Sequence, residues 1–428
     1  MAEQSSNATL FQNVRIFDGK DGVISAPSDV LVEGQRIARI SATTMANGPD
    51  RPVTVVAGGG RVLMPGLIDA HWHAMFATLP TAILATADPG YVNLVAGGAA
   101  EATLMRGFTS VRDLGGPVFG LKRAIDDGVV VGPRIYPSGA FISQTSGHGD
   151  FRMPYEVPRA VGDPLSHLER IGVSAIADSP DEVRLRAREQ LRQGASQLKL
   201  MAGGGVASSY DPIDATQYTE AEIRAAVEAA ENWGTYVAVH AYTPRAIQIA
   251  VAAGVKCIDH GHLIDEPTAE LLAQQEIWLS LQPFLDDEDA VPLPDPAMRQ
   301  KAGTIFSGTD SAYALAKQFG VRVAFGTDTL FDPGLAARQG AQLAKLVRWY
   351  PTAGVLRMAT ADNAELLALS GPRNPYRGKL GVVEEGALAD LLLVDGDPMQ
   401  NIRLLEDPAT NLLVIMKDGQ IYKNLLAA

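Results

Sequence analysis

Residues 66–73 read GLIDAHWH, an apolar strand pattern that closes on two histidines two positions apart, His71 and His73. In a strand, residues i and i+2 face the same side, so both imidazoles project from one rigid edge. A doubly wound nucleotide-binding sheet carries a glycine-rich phosphate turn after its first strand; here the His-x-His pair stands in that place. Seven more apolar segments follow, separated by helical stretches: GFTSVRDL (107–114), RIYPSG (134–139), SQLKLMA (196–202), TYVAVH (235–240), VKCIDH (255–260), IWLSLQ (277–282) and VRVAFGTD (321–328). One helical stretch, TEAEIRAAVEAAENW, opens with Thr219 and Glu222 at capping-box spacing. Eight strands alternating with helices predict a (β/α)8 TIM-like barrel rather than an open sheet.

The ends of the chain read differently. LFQNVRIF, the turn GKDG, VLVEGQRIARI and VTVVAGGGRVLMPG alternate apolar and polar positions between glycine turns. LADLLLVDG and NLLVIMKDGQIYKN, with a hairpin turn at Asp418–Gly419, do the same near the C-terminus. The prediction is one small β domain assembled from residues 1–64 and 373–428, flanking a barrel over 65–372. A length of 428 residues suits one large and one smaller domain, and an apolar fraction of 46% excludes a disordered chain. The net charge of −13 argues against a nucleic-acid or anionic-membrane partner, since both need a basic surface. Cys257, the only cysteine, cannot form an internal disulfide. No stretch is long and apolar enough to span a bilayer, and the first residues lack a basic n-region and an apolar h-region. The expected location is therefore cytoplasmic.

The histidines mark the chemistry. There are seven: His71 and His73 close the first predicted strand, His240 the fifth and His260 the sixth, while Asp328 ends the eighth. C-terminal strand ends face the active site of a barrel, so these residues converge as a metal site. Lys199 stands inside the apolar strand SQLKLMA, where a charged ammonium is costly unless paired or neutralised. Two readings stay open: a salt bridge to an aspartate, or a neutral amine carboxylated by CO2 whose carbamate bridges two metal ions. Residues 203–205, GGG, lack the lysine and hydroxyl residue of a phosphate loop, so no phosphate cradle is expected there.

VLMPGLIDAHWH, TSVRDLGG, QLKLMAGGG, VAVHAYTP, CIDHGHLID and FGTDT, with GVVEEGALADLLLVDGDP near the end, resemble the amidohydrolase superfamily in the family's order. Within it the chain is most similar to the branch of metal-dependent Xaa-Pro and Xaa-Arg/Lys dipeptidases, imidazolonepropionase relatives and ochratoxin-hydrolysing members. The resemblance implies that the β domain is a composite β-sandwich. It implies that His71, His73 and Asp328 hold the more buried metal, that His240 and His260 hold a second, and that carboxylated Lys199 joins both. Zn2+ suits imidazole and carboxylate ligands, with Mn2+ and Co2+ as alternatives. The activity implied is hydrolysis of the amide to a C-terminal amino acid, in dipeptides, N-acyl amino acids or ochratoxin A, by a metal-bridging hydroxide with Asp328 as acid–base. A cyclic-amide hydrolase or deaminase of the imidazolonepropionase type, and a metal-free scaffold barrel, are the alternatives. Members of this branch form homo-oligomers, so one is expected here.

Other residues receive weaker assignments. His148, in QTSGHGD, and Tyr242, two residues after His240, are candidate contacts to a small amide or dipeptide substrate with a free carboxylate. His262 competes with His260 as a ligand, and Asp113 is expected to orient a ligand or loop. Arg152 is expected to be a solvated loop residue, Cys257 a core residue and His167 structural. Residues 140–177, rich in glycine, proline and aromatics, are expected to form a lid.

Overall fold

The structure is a computed structural model that describes residues 8–45, 52–153, 155–156, 163–208, 210–293 and 295–426. Five strands open the chain: β1 (Ala8–Ile16), β2 (Ser28–Glu33), β3 (Arg36–Ser41), β4 (Val53–Ala57) and β5 (Val62–Pro65). The middle carries β6 (Leu67–Trp72), β7 (Phe108–Asp113), β8 (Arg134–Pro137), β9 (Phe141–Ser143), β10 (Ser174–Ile176), β11 (Leu198–Met201), β12 (Val237–Ala241), β13 (Cys257–His260), β14 (Trp278–Leu281) and β15 (Val323–Phe325). The chain closes with β16 (Leu391–Val394), β17 (Leu412–Lys417) and β18 (Gln420–Asn424).

The two ends of the chain share one sheet, in the order β18-β17-β16-β5-β1-β2-β3, with β4 also paired to β1. Strand β1 does two jobs. Its first half pairs with β2 and β4, its register shifts between Phe11 and Val14, and its last residues pair with β5. Phe11, Val30, Val32 and Leu63 from the N-terminal strands then pack into one buried core with Leu391, Leu393 and Val414. The β17–β18 hairpin turns where expected, with Asp418 at φ 55° and Gly419 at φ 70°, the positive pair that a two-residue turn needs.

All eight strands expected in the middle are present, as β6, β7, β8, β11, β12, β13, β14 and β15. They form two parallel sheets, β6-β7-β8 and β10-β9-β11-β12-β13-β14-β15. Every residue of these strands is buried, as strands covered on both faces must be. Side chains tie the sheets together at both junctions. Asn363 donates to the carbonyls of Ile68 in β6 (2.7 Å) and Phe325 in β15 (2.8 Å). Gln197 donates to those of Asp113 (3.3 Å) and Tyr136 (2.8 Å). The helix Glu220–Asn232 shows why the covering layer forms: Thr219 and Glu222 make the reciprocal capping box, and Ile223, Ala226, Val227 and Ala230 form its buried stripe.

Candidate metal centre and substrate cavity

The strand ends bring the histidines together. His71 and His73 leave β6, and both aim Nε2 at Oδ1 of Asp328, at 3.3 and 3.2 Å. The His71 and His260 rings lie 4.9 Å apart between centroids, and those of His240 and His260 lie 4.5 Å apart. Ligand atoms of His71, His260 and Asp328 all fall within 4.8 Å of one another. His73 stands beside this group through Asp328, and His240 through His260.

Local structure fixes this geometry. Gly326 lets the end of β15 approach β6, because a Cβ there would meet the His71 backbone nitrogen at 2.6 Å. Asp69, wholly buried, accepts from the backbone N–H of His71 (3.0 Å) and Thr327 (3.1 Å), from the Thr327 hydroxyl (2.7 Å) and from Gln339 (2.8 Å). It thereby sets Thr327, the neighbour of Asp328, against His71. His260 and Asp328 both adopt left-handed backbone, φ 82° and 49°. For a non-glycine residue that costs roughly 1–2 kcal/mol and turns the side chain off the strand line.

The electrostatics suit a cation. Burial pushes His71, His240 and His260 well below the usual imidazole range, toward the neutral form that offers a lone pair. Burial also depresses His73, but its hydrogen bond and charge contact with Asp328 outweigh this and raise it. Gln282, which the sequence reading did not single out, accepts from Nδ1 of His260 at 2.8 Å and sits 3.3 Å from Nδ1 of His71. A carbonyl oxygen at Nδ1 requires N–H there, so Nε2 of His260 is its lone-pair nitrogen. Nε2 of His240 faces the carbonyl of Gly204 at 3.0 Å, which leaves Nδ1 with the lone pair. Three imidazoles biased to the neutral form, converging with one carboxylate, fit a divalent metal with nitrogen and oxygen ligands.

Lys199 takes the salt-bridge geometry of the two readings. Its Nζ lies 2.5 Å from Oδ2 of Asp259, and Nη2 of Arg112 lies 2.6 Å from the other oxygen. Arg112 also donates to the Ala70 carbonyl at 2.6 Å and lies 3.3 Å from Cys257 Sγ. Neither Arg112 nor Asp259 was singled out from the sequence, although the Asp of CIDH directly precedes a ligand candidate. Burial pushes the Lys199 amine below its ordinary range against the pull of Asp259. Cys257 is buried, as expected.

The centre opens into a cavity of about 300 Å³, walled by Phe76, Phe141, Phe151, Phe284, Phe306 and Phe331. His148 and Tyr242 both line it: His148 stacks on His240 at 4.2 Å, and Tyr242 lies 4.9 Å from the same ring. Nδ1 of His148 is 2.7 Å from the Ser208 hydroxyl, and burial pushes its pKa down to about 4. His262 is turned away: its Nε2 faces the Gln282 carbonyl at 2.9 Å and its ring stacks on Phe284. Asp113 organises a loop, accepting from the backbone of Ala74 (2.7 Å) and Gly115 (3.3 Å). Arg152 departs from expectation. It lines the cavity and holds Asp150 through two nitrogens, at 2.8 and 2.6 Å. His167 is exposed at the start of a short helix. The segment expected as a lid supplies β9, β10 and the wall residues Phe151, Met153, Leu168 and Val173; its residues 154 and 157–162 lie outside those described.

Histidines and an aspartate converging at the C-terminal ends of parallel strands, at the base of a largely apolar cavity, form a site suited to metal-assisted hydrolysis. Residues 62–423 match the Amidohydrolase family, and the chain belongs to it. It is a hydrolase acting on carbon–nitrogen bonds, in a family that generally binds divalent metals. The ochratoxinase of Aspergillus niger is 33% identical over 373 residues, 85% of this chain and 76% of that protein. A prolidase solved with N-methylphosphonate-L-proline is 33% identical with a TM-score of 0.88, covering 98% of this chain and 100% of its own. A Xaa-Pro dipeptidase with methionine bound in its active site is 28% identical with a TM-score of 0.82, covering 98% and 100%. Among the described residues no helix is long and apolar enough to cross a membrane.

Proposed function

We propose that the protein releases the C-terminal amino acid from N-acyl amino acids and dipeptides, with ochratoxin A cleaved to ochratoxin α and phenylalanine. The observation that carries this reading is the His71–His260–Asp328 cluster at the base of a cavity walled by phenylalanines. The ochratoxinase, and the amino-acid ligands of the prolidase and dipeptidase, support an amino-acid leaving group. We assign two divalent ions, Zn2+ foremost, to His71, His73 and Asp328 and to His240 and His260, with carboxylated Lys199 between them. Burial favours the neutral Lys199 amine, the form that takes up CO2, and Arg112 still balances Asp259 once that amine has no charge.

When bound, the metals polarise the scissile carbonyl and acidify the attacking water. Asp328 accepts the proton of the nucleophile and delivers it to the leaving amine. His148 and Tyr242 hold the substrate carboxylate as neutral hydrogen-bond donors; the lysine and arginine lining the cavity among the described residues, Lys199 and Arg152, are each already paired with an aspartate. The phenylalanine wall excludes water and takes the hydrophobic parts of the substrate. The same reading closes the parallel strands as a (β/α)8 barrel over residues 65–372, with 1–64 and 373–428 as the β-sandwich, in a cytoplasmic homo-oligomer. The ties at Asp69 and Asn363 between the first and last strands support closure. A metal count, with product release from N-acetyl-phenylalanine and from a cyclic ureide, tests the function. Two metals per chain and release of phenylalanine are expected; ureide opening without phenylalanine release refutes the assignment.

A further inference from the structure

Lys301 projects from the helix Pro296–Phe319 into the loop that follows β11. Its ammonium donates to three backbone carbonyls, those of Gly205 (3.1 Å), Ser208 (2.8 Å) and Asp211 (2.5 Å). The Asp211 carboxylate adds to this cage. Its Oδ1 is buried with no hydrogen-bond partner among the described residues and lies 3.9 Å from Lys301 Nζ. Its Oδ2 accepts from Gly205 N–H at 2.7 Å and Gln217 at 3.3 Å. Carbonyl dipoles turned toward one point repel one another unless a cation sits among them, so the ammonium is what makes this loop conformation favourable.

The loop holds two imidazoles. The Gly204 carbonyl takes Nε2 of His240, and the Ser208 hydroxyl takes Nδ1 of His148. Gly205 lies flat beneath the His148 ring, where a Cβ would come within 2.0 Å of ring atoms. The same helix turns Met298, Ala302, Ile305 and Phe306 into the cavity wall. Lys301 therefore joins the wall that meets substrate to the loop that aims His148 and His240.

We propose that Lys301 is a positioning residue: its ammonium is the central cation of a carbonyl cage that orients His148 and His240 for hydrolysis. This rests on the hydrolytic reading above, but the cage can be tested without turnover. Lys301→Ala leaves the carbonyls around a space for a small cation. We expect it to lose about tenfold or more in kcat/KM on N-acetyl-phenylalanine. Methylammonium should restore much of this at concentrations where tetramethylammonium, too large for the cage, does not. Its thermal midpoint should rise with methylammonium while that of the wild type stays fixed. Lys301→Met, which fills the space without charge, should show the loss and no rescue; should the alanine variant not accumulate, this variant alone decides. Either variant within twofold of wild type overturns the proposal, as does equal rescue by both ammonium ions. If the wild type cleaves no acyl amino acid, the functional reading falls, and the methylammonium-dependent midpoint still decides the cage.

Discussion

Replacing Asp69 by alanine tests whether the first and last parallel strands are held together by one buried carboxylate. The substitution removes four accepted hydrogen bonds and leaves two backbone N–H groups and the Gln339 amide without their partner. The Thr327 hydroxyl can rotate to another acceptor, so three orphaned donors are counted. At roughly 1–3 kcal/mol each, less the desolvation relieved by deleting the carboxylate, the net loss is about 3 kcal/mol. Asp69→Asn keeps an oxygen for both backbone groups but presents an amide to Gln339. Gln339 cannot flip freely to meet it, because its Oε1 already accepts from Arg106 at 2.9 Å. About 1 kcal/mol is expected for the asparagine variant. Urea denaturation of chelator-treated protein measures both. Because Asp69 also fixes the spacing of His71 and Asp328, the alanine variant should bind metal about tenfold more weakly in a competition assay. An alanine variant within 1 kcal/mol of wild type, with metal affinity within threefold, would show that closure at this junction does not depend on Asp69.

Lys199→Ala should lose metal and activity together, with partial recovery in short carboxylic acids; retention of two metals and near-normal turnover would exclude a bridging role. Lys199→Arg should fail as well, since guanidinium takes up no CO2 and stays charged. Amidating the substrate carboxylate should lower kcat/KM more than about tenfold, ~1.4 kcal/mol, and His148→Ala or Tyr242→Phe should narrow that gap with metal content intact. Equal cleavage of free and blocked substrates by the wild type would remove the carboxylate subsite. Lys417 donates to the Gly132 carbonyl at 2.7 Å, and burial lowers its pKa against the pull of Asp418 and Asp390, with Arg134 adding to the lowering. The native state then binds fewer protons than the unfolded chain between the folded pKa and 10.5, so this group makes stability rise with pH there. Lys417→Met should flatten the pH dependence of the urea midpoint just below pH 10.5, and an unchanged slope would contradict the sign.

The middle strands were legible because each is a short apolar run bounded by turn residues, and because histidines at strand ends stand out in a chain that has seven. The strands β9 and β10, of three residues each, are too short to show a period, so they were invisible within the expected lid. The partner of Lys199 was equally hidden. Asp259 lies two strands away, and only the fold decides which of the many acidic residues faces the amine. Gln282 carries no motif. Its role depends on strand β14 ending level with β13, which places one amide against two imidazoles. Lys301 is 96 positions from the Gly205 carbonyl that it holds, beyond the reach of any local pattern.

Why so much structure surrounds a handful of side chains follows from the backbone at two of them. A histidine and an aspartate held at positive φ would relax to extended or helical backbone if nothing opposed it, swinging their side chains out of the cluster. What opposes it is specific. The Asp328 N–H donates to the His71 carbonyl at 2.8 Å, Asp69 fixes the adjoining Thr327, and Gln282 holds the His260 ring. Each tie is buried, so breaking it leaves a polar group unsatisfied at a cost comparable to the strain that it restrains. The His71, His260 and Asp328 side chains are thus held within reach of one another before any cation arrives. Binding need not supply the energy of ordering the site, and more of it is left to hold the ion.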